Sequence, residues 1–445
     1  MKHPPRVLVL ALVVLLAVLA LSSTVAGQGA FSGYTSGIQV QNLEGTQADV
    51  TLTFYNPDGT VATTLNDQIA ANSSKTYFGT TLPVSQGFSG SVVISSSKQV
   101  AAISNMLSSD FKAGASYVGS SQGATTLNLP LLMKGNSGFN SWFNVQNAGT
   151  STANVTIAYS DGTNASASIP VGAAKTFYQA QENHTAAVFS AVVTSNEPIV
   201  AVVVQEDSKT MFAYSGFSSG STNPVMPLIN ANNSGFITGV QIQNAGTQDT
   251  DVTVTYTPDL AGSACTETRT IPAGKSETFA LVAFNSNNSG TTTTCQGGST
   301  FIGSAQVTAN STNQPLAVIV NQLNPGKQGE SYGGFDPNAA TNKVVMPLIM
   351  DRNSNYFTGI AVMNVGSSAT DINCTFTGTS YTASKTNVAP GKSLTDLQAN
   401  KIADGYVGSA TCTASDANAK LVGIVNELRS GSTVDEFLVY EAFNP

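Results

Sequence analysis

One phrase recurs four times along the chain, and a recurrence of this length confines the fold to a tandem array. GIQVQNLEGTQADVTLTFYNPDGT begins at Gly37. It returns as WFNVQNAGTSTANVTIAYSDGT from Trp142, as GVQIQNAGTQDTDVTVTYTPD from Gly239, and as GIAVMNVGSSATDINCTFTGT from Gly359. Each copy alternates apolar and polar residues, passes an Asn-x-Gly-Thr/Ser-like turn, and alternates again. Side chains of a strand point to opposite faces in turn, so Ile38, Val40, Val50, Leu52 and Phe54 are expected in a core. Gln39, Gln41, Thr51 and Thr53 are expected in water.

The rest of the unit repeats as well. A turn and strand read IAANSSKTYF from Ile69, IPVGAAKTF from Ile169, IPAGKSETF from Ile271 and VAPGKSLT from Val388. Two further strands follow, the second continuously apolar (QVAAISN, PIVAVVVQ, PLAVIVNQ, LVGIVNE), and an aromatic-glycine strand near Tyr117, Tyr214, Tyr332 and Tyr440 closes the unit. Copies two to four open with a Pro-Leu strand at Leu129, Met226 and Met346. About seven short strands per ~100 residues, with no helical periodicity, predict an all-β chain of four tandem immunoglobulin-like β-sandwich domains. The expected spans are 27–123, with its first strand missing or irregular, 124–220, 221–340 and 341–445. Short Ser/Gly/Thr/Asn linkers suggest semi-rigid beads in a rod.

Residues 1–26 read as a signal peptide: Lys2 and Arg6, an apolar run from Val7 to Leu21, then Thr24-Val25-Ala26 at a cleavage point. Fifteen apolar residues are short of a membrane span, so a membrane contact is expected only if the segment stays uncleaved. The chain carries 18 basic and 26 acidic residues, a net charge of −8. With no basic run, this balance speaks against nucleic acid as a partner.

The repeats choose among the three pairings open to four cysteines. Cys374 takes the core position of Leu52, Ile157 and Val254, and Cys412 that of Ile94, Val193 and Val307. A Cys374–Cys412 disulfide is therefore expected inside the fourth repeat, and a Cys265–Cys295 disulfide across loops longer in the third. No Cys-x-x-Cys occurs, and no metal site is expected.

His184, the only histidine beyond the signal, is expected on an exposed loop. The Gly-x-Ser-x-Gly matches at Ser121 and Ser218 fall between repeats, without the strand-to-helix turn of a nucleophile elbow. Gly274-Lys275-Ser276 and Gly391-Lys392-Ser393 lack the upstream glycine of a phosphate loop and read as hairpin turns. Asp58-Gly59 and Asp161-Gly162 read as tight turns. Neither catalytic nor cofactor residues are assigned. Trp142 replaces a glycine found in the other copies at an outward position, so an exposed indole is expected, packing on a neighbouring domain or contacting a ligand. The missing first strand of the first repeat should fall near Thr24–Gln28. Cleavage there would bare a sheet edge, and bare edges recruit strands from other chains.

The order of strand, Asn-x-Gly-Thr turn, strand, Pro-x-Gly-Lys-Ser turn and apolar strand resembles tandem immunoglobulin-like or fibronectin-III-like repeats of bacterial secreted or cell-surface proteins. The resemblance implies a non-enzymatic extracellular protein, structural or adhesive, as in a stalk, coat or filament. Its partners would be other copies of itself or cell-envelope components. The alternative expectation is a secreted array that binds carbohydrate or protein through exposed aromatics such as Trp142.

Overall fold

The computed structural model describes residues 12–16, 29–280, 292–325 and 327–445. The fold is all-β: two single-turn 3-10 segments, Gly79–Thr81 and Gln179–Gln181, interrupt an otherwise unbroken series of strands. No helix among the described residues is long and apolar enough to cross a membrane.

The sheets come in pairs with one repeated topology. In the first repeat, one sheet runs Leu12–Leu16, Ser91–Ser96, Ala48–Tyr55, Val61–Ile69. The other runs Ser74–Tyr77, Tyr34–Asn42, Val100–Ser108, Gly114–Val118. The third and fourth repeats have the same order, the third with one short strand added. In the second repeat the sixth and seventh strands run on as one, Val188–Glu206, which merges its two sheets. Between the paired sheets lies the alternating core: Ile38, Val40, Val50, Leu52 and Phe54 are all at most 2 % exposed. Across the ladder Leu52 stands opposite Ile94, Ile157 opposite Val193, Val254 opposite Val307 and Cys374 opposite Cys412. The last pair is bonded, as is Cys265 with Cys295.

Two polar devices explain why particular residues return in every copy. The first is the asparagine that opens the turn. Asn42, Asn147, Asn244 and Asn364 are fully buried. Each donates from Nδ2 to the carbonyl four residues on and to that of Ile69, Ile169, Ile271 or Val388, and accepts the backbone N–H two residues on. Its side chain thus satisfies the backbone of a buried turn that no ladder reaches. The second joins the Pro-Leu strand to the closing tyrosine. Proline offers no N–H, and the ladder slips at this point in repeats two to four. The hydroxyls of Tyr214, Tyr332 and Tyr440 donate to the carbonyls of Leu131, Leu228 and Leu348 and accept the same residues' N–H groups.

The first repeat has no Pro-Leu strand. Its predicted position near Thr24–Gln28 lies outside the described residues. The ladder place is held instead by Leu12–Leu16, from within the predicted signal. Val14 stands opposite Ile94 as Leu127 stands opposite Val193 and Val344 opposite Cys412.

The four repeats do not form a rod. The closing strands Gly114–Val118, Met211–Ser215, Gln328–Gly333 and Leu438–Glu441 contact one another in cyclic order, the fourth touching the first. A repeated joint lies further out. The Ser91 hydroxyl donates to the Gly172 carbonyl at 2.5 Å, Ser190 to Gly274 at 3.5 Å and Ser304 to Gly391 at 2.7 Å. Ser409, the fourth equivalent, meets the Thr377 hydroxyl at 2.7 Å, and Thr377 reaches the Asn72 carbonyl at 3.4 Å. Asn72, Gly172, Gly274 and Gly391 hold the same turn position, with φ of 52°, 74°, 70° and 77°. Glycine and asparagine are the residues that enter this left-handed region most readily. One head-to-tail contact used three times, and a fourth relayed through Thr377 that returns to the first repeat, make a closed ring rather than an open filament. Short linkers had suggested beads in line; the joint between turns decides otherwise.

Candidate functional site

The centre of the ring is where polar chemistry concentrates. A closing strand is the edge of its sheet, with N–H groups that no further strand can take. Here carboxylates from other repeats take them. Glu330 Oε1 accepts the N–H of Ala213 and of its own neighbour Ser331, each at 2.7 Å, and Oε2 accepts that of Ser116 at 2.7 Å. Those three residues occupy the same register position in three repeats, opposite Val204, Asn321 and Asn105. Asp435 reaches further. Its carboxylate accepts the N–H of Met211 at 2.8 Å and of Gly329 at 2.9 Å, while its own N–H donates to the Lys112 carbonyl at 3.0 Å. One residue of the fourth repeat therefore bonds to each of the other three. Both acids are completely buried. Burial pushes their carboxyls well above the ordinary range, against the pull of the N–H groups, which favour the charge.

Two matching relays flank this pair. The Ser116 hydroxyl donates to Asn105, whose Nδ2 donates to Glu427 Oε2 at 2.8 Å, from the first repeat into the fourth. The Ser331 hydroxyl donates to Asn321, whose Nδ2 donates to Gln205 Oε1 at 3.0 Å, from the third into the second. Glu427 and Gln205 hold equivalent places, opposite Thr358 and Ser141. Burial raises the Glu427 carboxyl to about 8, offset in part by the Asn105 bond. Its free oxygen, Oε1, corresponds to the amide nitrogen of Gln205, and neither has a partner among the described residues. A protonated Glu427 thus reproduces the glutamine of the sister repeat. Burial therefore favours the neutral form of this carboxyl.

Trp142 is not exposed. It is 3 % accessible, and its indole N–H donates to Glu206 Oε1 at 3.0 Å. Glu206 also accepts from the Tyr34 hydroxyl at 2.7 Å and from the Ala30 N–H at 2.7 Å, and burial raises its carboxyl. The ring packs on Tyr34 at 5.6 Å and Tyr178 at 6.1 Å. Strand alternation rightly turns Trp142 away from its own core, but that outward face is covered by the first repeat. The same burial takes Gln39 and Gln41 out of water, and Gln39 donates to the Pro347 carbonyl of the fourth repeat at 3.1 Å.

The His184 side chain is fully buried rather than exposed. Its Nδ1 lies 3.1 Å from Asp161 Oδ2, its Nε2 lies 2.9 Å from Gln179 Oε1, and its ring stacks on Phe189 at 4.0 Å. Both ring nitrogens are engaged, and among the described residues the one hydroxyl bonded to the ring belongs to Thr163, which donates to Asp161. The arrangement pins a turn. Lys275 and Lys392 of the two Gly-Lys-Ser turns donate to the carbonyls of Ser160 and Pro258 in the preceding repeat, so these lysines also serve the joint. No group of three or more His, Cys, Asp or Glu side chains among the described residues is placed to hold a metal ion.

Compared with known proteins, the chain matches no family model and no curated protein.

The acids at the centre escaped the sequence reading because charged residues are ordinarily read as surface. Position gave a signal only for Glu206 and Glu427, which follow continuously apolar runs, and none for Glu330 or Asp435.

Proposed function

We propose that this chain is an exported, non-enzymatic structural or adhesive protein of the cell surface, carrying four immunoglobulin-like sandwiches as one rigid block. The observation that carries the reading is the filled centre. Glu330 and Asp435 spend their carboxylates on the backbone N–H groups of neighbouring repeats, and both nitrogens of His184 hold a turn. Polar side chains committed in this way build a scaffold rather than a reaction site. The two disulfides fit an oxidising compartment. The N-terminal segment 1–26 would direct export, and the partners would be further copies or cell-envelope components. A carbohydrate platform on Trp142 loses its support, since the indole is enclosed by Tyr34, Tyr178 and Glu206.

Labelling of the native protein on intact source cells tests the proposal. Protease-accessible protein in a surface coat or fibre is the expected result. Protein confined to the cytosol with reduced cysteines would overturn it.

A further inference from the structure

A cleft of about 250 Å³ opens between the second and third repeats. Leu131, Phe139, Val188 and Phe212 line one side, Gly239 and Leu323 the other. The repeats reveal what this space is. Gly239 stands opposite Asn321 where Trp142 stands opposite Val204, and Leu323 lies two residues beyond Asn321 as Glu206 lies two beyond Val204. Phe139 precedes Trp142 by three residues, as Tyr34 precedes Gly37. At the joint between repeats one and two, the indole of Trp142 sits against Tyr34 and bonds to Glu206. At the joint between repeats two and three the equivalent seat has the aromatic wall, Phe139, and lacks the ring.

We propose that this cleft binds a small, neutral, planar aromatic molecule of about two fused rings. An apolar protein cavity of about 150 Å³ is known to take up benzene, so the larger space here suits a bicyclic ring. Phe139 and Phe212, in edge contact at 5.6 Å, offer the ring a face and an edge. The chemistry of the seat also sets a preference. Leu323 replaces the carboxylate that receives the Trp142 N–H, and the amide oxygens of Gln241 and Asn321 in the lining already accept the Thr278 and Ser331 hydroxyls, so a donor on the ligand meets no charged acceptor. Hydrocarbon rings are favoured over N–H-bearing ones.

Titration of the full chain with naphthalene, followed by ligand-observed NMR, tests this. Saturable binding of one molecule per chain is expected, with indole roughly tenfold weaker. Gly239 lies in a regular strand without positive φ, so G239W should place the chain's own ring in the seat and abolish binding. Leu323→Glu should reverse the preference toward indole. Absence of saturable naphthalene binding, or binding unchanged in a folded G239W, overturns the proposal. Val188→Asp, on the exposed rim, provides the test should G239W not fold: naphthalene should bind at least tenfold more weakly, and unchanged binding overturns the proposal equally.

Discussion

Glu330 accepts the backbone N–H of Ser116 at 2.7 Å across 214 positions of sequence. With Ala213 and Ser331 on the same carboxylate, one side chain closes equivalent edges of three repeats. Glu330→Ala would leave these buried N–H groups unpaired, and each such orphan costs about 1–3 kcal/mol. The expected loss is therefore about 3 kcal/mol or more in urea unfolding, with faster hydrogen exchange at Ser116 and Ala213. Glu330→Gln should also destabilise, because its NH₂ would face an N–H donor. Wild-type stability in both variants would show that water or other groups satisfy these edges.

Glu427 makes the ring less stable as pH rises from acid toward neutral. Its folded carboxyl, lifted by burial to about 8, lies above the ordinary value of 4.5. The unfolded chain ionises first, so the stabilisation is fully present below about pH 4.5 and is lost as pH rises toward about 8. Glu427→Gln removes this titration and mimics Gln205 of the sister relay. Unfolding midpoints between pH 4.5 and 8.5 should fall more steeply for the wild type than for Glu427→Gln. Parallel pH profiles would contradict the neutral-acid assignment.

Trp142 is the only tryptophan, so its fluorescence reports one joint. Emission should be blue-shifted and protected from acrylamide in the folded chain. Trp142→Ala should cost about 3–5 kcal/mol, the range for truncating a buried large aromatic. A red-shifted, freely quenched emission would mean that the first and second repeats part in solution.

The two disulfides should differ in worth. They close loops of 30 and 38 residues, for which chain entropy suggests about 3–4 kcal/mol each. Cys374 and Cys412 are both completely buried, whereas Cys265 is half-buried. Paired Ala variants should therefore unfold at lower denaturant for 374/412 than for 265/295, because the former also leave a cavity in a packed core. The reverse order would contradict this.

The cores of the repeats were legible because burial on one face writes a period of two into the sequence, and because Cys374 and Cys412 fall in register with Leu52 and Ile94. The ring was not. Its joints depend on Ser91, Ser190 and Ser304 meeting turn carbonyls of the next repeat, and a serine at a strand end looks the same wet or buried. The exposure expected of Trp142, Gln39 and Gln41 is lost for one shared reason, and of the two contacts open to Trp142 it is the one with a neighbouring repeat that is present. Alternation tells which residues leave their own core, and it is silent on whether a neighbouring repeat covers them. Counting back along the repeat places the first strand of the first repeat near Thr24–Gln28, whereas the ladder is filled by Leu12–Leu16, from within the apolar run that reads as an export signal.

Cyclic closure is the claim on which the central site rests, and small-angle X-ray scattering tests it most directly. A compact chain of this length has a radius of gyration of about 22 Å. The ring predicts a value near that figure, with a scattering profile unchanged from low to moderate salt. Four sandwiches strung in line would give roughly twice as much, and such a value would contradict the ring.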